Sequence, residues 1–226
     1  MECPPAFGSG NAEPREPNTN SLAVIFGLFH GLATALGSDR GEAGLLVAAV
    51  VVAALLAAEW LLFRHAPAEA LLSLGFGWPA ARGMLAALGV CAAMLTVIPI
   101  YAAVRGASIV FYPLWLWLLP GLIAQAGIAE EALFRGYLFG RLRRGRCFWH
   151  AATLATAPFV VVHLILFATM PWPIALAAVL LSVILSFPLA RLFEFGGNTI
   201  WAPALLHFTV QGRSRCWSCL ATPACR

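Results

Sequence analysis

Apolar residues run in long blocks along this chain, and polar residues gather in the short gaps between them. A membrane-crossing helix needs about 20 consecutive apolar residues. On that ruler, residues 22–37 form a short, soft candidate containing His30, and 43–63 form a strong Ala/Val/Leu-rich one with Glu59 near its end. Residues 83–104 form another. The block 109–140 is too long for a perpendicular span, and Pro113, Pro120 and Gly121 predict a kink or break within it. Residues 151–169 and 172–192 are two further spans joined by a tight Met170-Pro171 turn, and the last, 198–211, has only fourteen residues. The predicted fold class is all-α, a polytopic transmembrane helical bundle of about 6–7 spans over residues 21–211. A polar N-terminal tail, 1–20, and a polar, Cys-rich C-terminal tail, 212–226, flank it.

Composition agrees with that pattern. The chain has 226 residues, 61% hydrophobic and 11% charged, where soluble domains carry about 25% charged residues. No sizeable soluble domain fits beside such a bundle. The net charge of +4 comes from arginine alone, since there is no lysine. The arginines sit between apolar blocks, so they speak for membrane topology and against nucleic acid as a partner. Counting seven spans, Arg15, Arg64, Arg82, Arg141, Arg143, Arg144, Arg146 and Arg191 fall on one side, which the positive-inside rule makes cytoplasmic together with the N-terminus. Absent lysine beside abundant Ala and Arg points to GC-rich coding, and so to a bacterial inner membrane. The first twenty residues lack the basic start and apolar core of a signal peptide. Cys216 and Cys219 match a CxxC spacing without the βαβ context of a redox motif.

Candidate chemistry begins where carboxylates interrupt the apolar text. Glu130 and Glu131 are adjacent, with Arg135 following, inside the block 109–140. A carboxylate near the bilayer interior costs a few kcal/mol, so such residues face a partner or a wet cavity. Glu131 and Arg135 are i,i+4 neighbours that can pair, which leaves Glu130 free to act as a general base. At 1.5 Å rise per residue, Glu130 lies roughly 16 Å from the cytoplasmic edge, His163 roughly 18 Å and His207 roughly 15 Å. Three titratable groups on three helices thus reach similar depth. His207, with Gln211 one turn on, can donate to a developing oxyanion. Blander readings fit the other polar residues: Glu59 snorkels to the surface near Trp60, His30 and His65 are surface or packing residues, His150 joins the rim with Trp149, and Trp115 and Trp117 form an interfacial belt.

At these residues the sequence resembles the CPBP family of intramembrane proteases, also called the Abi or CAAX-protease family. Its EExxxR motif stands as Glu130, Glu131 and Arg135, its FxxxH motif as Phe159 and His163, and its HxxxN motif, in a near variant, as His207 and Gln211. The likeness covers about residues 115–211. It implies an endopeptidase in which Glu130 is the catalytic base, His163 helps to activate water, and His207 with residue 211 forms the oxyanion pocket. The substrate it implies is a membrane-associated protein or peptide. The resemblance leaves metal chemistry open: Glu130, His163 and His207 are the candidate ligands of a catalytic zinc, with a metal-independent glutamate mechanism as the other possibility. Gln211 replaces the usual Asn, and the chain turns polar directly after it, reading like a truncated end. Those departures keep a second expectation alive, that of a catalytically inactive scaffold or bacteriocin self-immunity protein on the same fold. A small transporter using the same carboxylates is a third, disfavoured by the lack of internal repeats.

Overall fold

The computed structural model describes residues 40–111, 113 and 115–220, with 24, 27 and 31 as isolated positions. The expected span 22–37 and the tail 1–20 therefore lie outside the described residues. Helix α1 is Arg40–Phe63, α2 is the short Pro67–Ser73, and α3 is Ala81–Arg105. A strand, β1 (Ser108–Phe111), leads into α4 (Trp115–Leu122). Two π-helical segments, Ile123–Ala129 and Ala132–Phe139, continue that helix into the one-turn α5 (Gly140–Leu142). Then come α6 (Phe148–His163), α7 (Leu166–Thr169), α8 (Trp172–Phe195), α9 (Trp201–Cys216) and β2 (Trp217–Leu220).

Among the described residues four helices are long and apolar enough to cross a membrane: Ala43–Phe63, Ala81–Arg105, Phe148–Thr169 and Trp172–Phe195. Four of the expected 6–7 are thus found among the described residues, and the candidate 22–37 lies outside them. The block 109–140 is divided, because helix resumes only at Trp115, beyond Pro113, and then winds through α and π segments. The last helix also departs from expectation, running on to Cys216 rather than ending at Gln211. Beyond it the chain pairs antiparallel with β1, Ser108 opposite Leu220 and Phe111 opposite Trp217. This ribbon is a small departure from an all-α fold.

The outer faces read as lipid-facing. Leu85, Val97, Ile100 and Val104 on α3, and Ile174, Leu181 and Ile184 on α8, are exposed; an apolar surface of that extent belongs against hydrocarbon. Inside, α1 packs on α4 and the first π segment, while α9 packs on α3, α8 and that same segment. Lipid tails are as apolar as leucine, so helices in a membrane associate through close approach of small residues. Gly136 shows it: a Cβ there would collide with the Leu74 carbonyl oxygen.

Glu59 corrects another expectation. It does not snorkel but is wholly buried. Its Oε1 accepts from Arg141 Nη2, and its Oε2 bonds His65 Nδ1 at 2.8 Å. Arg141 lies over the Phe63 ring at 3.6 Å and the Tyr137 ring at 4.7 Å. A buried guanidinium sandwiched by rings removes the reason for Glu59 to seek water, and His65 becomes a partner rather than a bystander.

Candidate active site

The site is built where α9 meets the π-wound helix. Gly127 sits one turn before the carboxylates, and a Cβ on it would come within 3.3 Å of the Ala204 carbonyl oxygen. Ala124, Ala126 and Ala129 on the same helix are buried, as are Ala202 and Ala204 on α9. These small residues let the two backbones approach closely enough for short polar side chains to meet. The wide π winding brackets Glu130 and Glu131 on both sides, an irregularity frequent at functional sites.

His207 stands between the two carboxylates. Its Nδ1 bonds Glu131 Oε1 at 2.6 Å, and its Nε2 lies 3.7 Å from Glu130 Oε2. Glu131 Oε1 also accepts from Arg135 Nη1 at 2.9 Å. Glu131 is fully buried, Arg135 and His207 are nearly so, and Glu130 is the least buried of the four at 8% exposure. Since a carboxylate can only accept, Nδ1 of His207 carries the proton in that bond. Its Nε2 lies 3.1 Å from Gln211 Nε2, so the amide donates to the ring lone pair. The Arg135–Glu131 pair and the Gln211–His207 neighbourhood are thus present, and Glu130 is the carboxylate that holds no close cation.

His163 is placed differently. Its Nδ1 bonds the Phe159 carbonyl at 2.7 Å, folding the ring back on its own helix. Among the described residues no hydrogen bond or ion pair joins it to Glu130 or His207. The link between them is the Phe159 ring, which meets His163 at 4.7 Å and His207 at 6.1 Å and lies under the Arg135 guanidinium at 4.8 Å. Phe159 is the residue that spacing alone undervalues: beyond its place in a motif, it is the common wall of three polar groups. Glu131 likewise does more than pair with Arg135, since it also orients His207; no local pattern ties a side chain at 131 to one at 207.

Zinc is poorly served by these positions. Among the described residues no group of three His, Cys, Asp or Glu side chains is arranged to hold a metal ion. Both ring nitrogens of His207 are engaged by protein groups, and His163 is turned to its own backbone. The candidate set Glu130, His163 and His207 does not converge.

What the fold and site define is a helical membrane protein with a buried cluster of two carboxylates, an arginine and a histidine. Residues 111–212 match the sequence model of a family described as type II CAAX prenyl endopeptidase Rce1-like. This stretch, under half of the chain, is similar to that family and coincides with the three motifs that resemble CAAX proteases. It holds Glu130, Glu131, Arg135, Phe159, His163, His207 and Gln211 alike. No curated protein and no solved structure matches the chain.

Proposed function

We propose that the protein is an intramembrane endopeptidase that hydrolyses a peptide bond of a membrane-associated substrate with water activated by Glu130. The observation that carries this reading is the division between the two carboxylates. Glu131 is committed to Arg135 and His207, whereas Glu130 is held loosely, 3.7 Å from His207. A base must meet water to take its proton, and Glu130 is the less engaged and less buried of the two, since Glu131 keeps an unpartnered Oε2 but is wholly sealed from solvent. Water taken up beside Glu130 loses its proton to the carboxylate as its oxygen attacks the carbonyl carbon. Glu130 then returns that proton to the leaving amine.

The oxyanion falls to Gln211 and His207. The Gln211 amide donates to His207 Nε2 in this structure, so serving an oxyanion requires that bond to open. His207 has its Nδ1 proton committed to Glu131, so donation from Nε2 requires a doubly protonated ring, and Glu131 is the counter-charge such a ring needs. His163, with its Nδ1 on Phe159, presents Nε2 as a lone pair, the form that can steady the attacking water. In this reading the helix 115–142 and α9 also pass through the bilayer, which with the four candidate spans gives six. With 22–37 counted as a seventh span, the arginine distribution puts the N-terminus on the cytoplasmic side of what is read as a bacterial inner membrane. The substrate chemistry is that of a membrane-associated protein or peptide, prenylated or otherwise.

The departure at Gln211 favours one second reading, an inactive scaffold or immunity protein that keeps the bundle. A single experiment separates the two: purified protein in detergent is incubated with a quenched fluorescent peptide library beside Glu130→Gln, with and without chelator. Cleavage lost in the variant supports the protease, and the chelator arm reports on metal. Equal turnover by the variant sinks the Glu130 mechanism. No turnover by folded native protein points to the scaffold.

A further inference from the structure

Behind the π-wound helix, on the side of α6 and α8, lies a cavity of about 10 Å³ measured for the centre of a water-sized sphere. Phe134, Ala155 and Ala190 give it apolar walls, and Arg135, Thr156 and Ser186 give it polar ones. All three polar residues are buried, at 3%, 8% and 4% exposure. Each hydroxyl has already spent its one hydrogen on its own helix: Thr156 donates to the Ala152 carbonyl and Ser186 to the Ser182 carbonyl, both at 2.8 Å. What they present to the cavity is lone pairs. Arg135 has five N–H donors and no acceptor, and Glu131 takes one of them through Nη1. Among the described residues no hydrogen bond joins Arg135 to either hydroxyl.

Donors on one wall and acceptors on two others decide what fits. An anion would meet hydroxyl lone pairs, and a cation would meet the guanidinium. A small neutral molecule able both to accept and to donate satisfies every wall, and the volume is about that of one water centre. We propose that this cavity binds a single water molecule, which accepts from the Arg135 guanidinium and donates to Thr156 Oγ1 and Ser186 Oγ. Three hydrogen bonds are typical of a buried structural water. The water ties the guanidinium to α6 and α8, and through Arg135 it steadies the Glu131 oxygen that orients His207. Thr156 and Ser186 thereby hold one water from two helices that no sequence motif connects. The site stands independently of the protease reading, since nothing in it touches substrate.

The test is a double-mutant cycle on the full chain in detergent, read by thermal unfolding midpoints of the native protein, Thr156→Val, Ser186→Ala and the double variant. Valine keeps the shape of threonine and removes only the hydroxyl. Losing the internal bond to Ala152 or Ser182 is private to each helix and adds, whereas losing a shared water is felt once. The expected result is that each single variant lowers the midpoint and the double falls well short of their sum, while Thr156→Ser stays near native. Strictly additive shifts, or a Thr156→Ser variant as damaged as Thr156→Val, would overturn the proposal. Should the variants fail to fold, a density map of the native protein at water-resolving quality decides: an ordered oxygen between the three residues supports the site, and an empty cavity ends it.

Discussion

Two clusters in this molecule are assembled from the same parts. Glu59 lies between Arg141 and His65, and Glu131 lies between Arg135 and His207. In both, a wholly buried carboxylate takes one bond from a guanidinium and one from an imidazole, and an aromatic ring covers the arginine. The difference lies in what is left over. At Glu59 no second carboxylate stands by, the spare group being the buried Nε of Arg141, and His65, about a third exposed at its side chain, faces outward. At Glu131 a second carboxylate, Glu130, stands within 3.7 Å of the same histidine, and that histidine is sealed inside. An ion pair plus a histidine is a clasp. With a less engaged carboxylate beside it, the clasp becomes, in the proposed reading, the frame of a reaction centre.

The comparison can be broken at several points. The largest effect is expected from Glu130→Gln, which should lower kcat about 10²–10⁴-fold, the usual worth of a general base, with the unfolding midpoint little changed. Gln211→Leu should follow, losing about 10²-fold in kcat as one oxyanion donor is removed; Gln211→Asn should retain most of the rate. Glu59→Gln should show the opposite profile. Stranding a buried guanidinium costs about 3–5 kcal/mol, read as chemical or thermal denaturation in detergent, while the rate per folded molecule survives. Were Glu59→Gln instead to silence a fully folded protein, the division between clasp and reaction centre would fail. Phe159→Leu should cost about 0.5–2 kcal/mol of stability through the lost guanidinium–ring contact, with a visible drop in rate as His207 loosens. His65→Ala should be smallest, about 0–1 kcal/mol, because the pair it breaks is partly open to solvent.

What could be read from the chain followed from short-range order. Long apolar blocks announced the helices, since length and hydropathy are properties of contiguous residues. The spacing of Glu131 and Arg135 announced their contact, because four residues of helix bring them to one face. The Glu59–Arg141 pair was not legible, as its partners are 82 residues apart and a lone glutamate near a helix end looks the same whether it snorkels or is caught. Equal depth in the membrane suggested that His163 and His207 would both reach Glu130, but depth fixes only one coordinate of three. Rotation about the helix axis decides the rest, and it turned His163 onto its own backbone. The π winding was hidden for a related reason: apolar residues permit it without announcing it, and the close approach of Gly127 and Gly136 to their neighbours shows only in the folded chain.

Glu59 has one more consequence. It belongs to α1, and α1 lies outside the stretch 111–212 that carries the family likeness. A fragment cut at that boundary would hold every motif residue and yet strand Arg141 in an apolar wall, with the Cys91 thiol of α3 no longer meeting Thr209 at 3.3 Å on the other flank. The boundary that the family likeness draws is not one at which the protein comes apart. Anyone transplanting this segment into another scaffold must carry over, or rebuild, a carboxylate to meet Arg141.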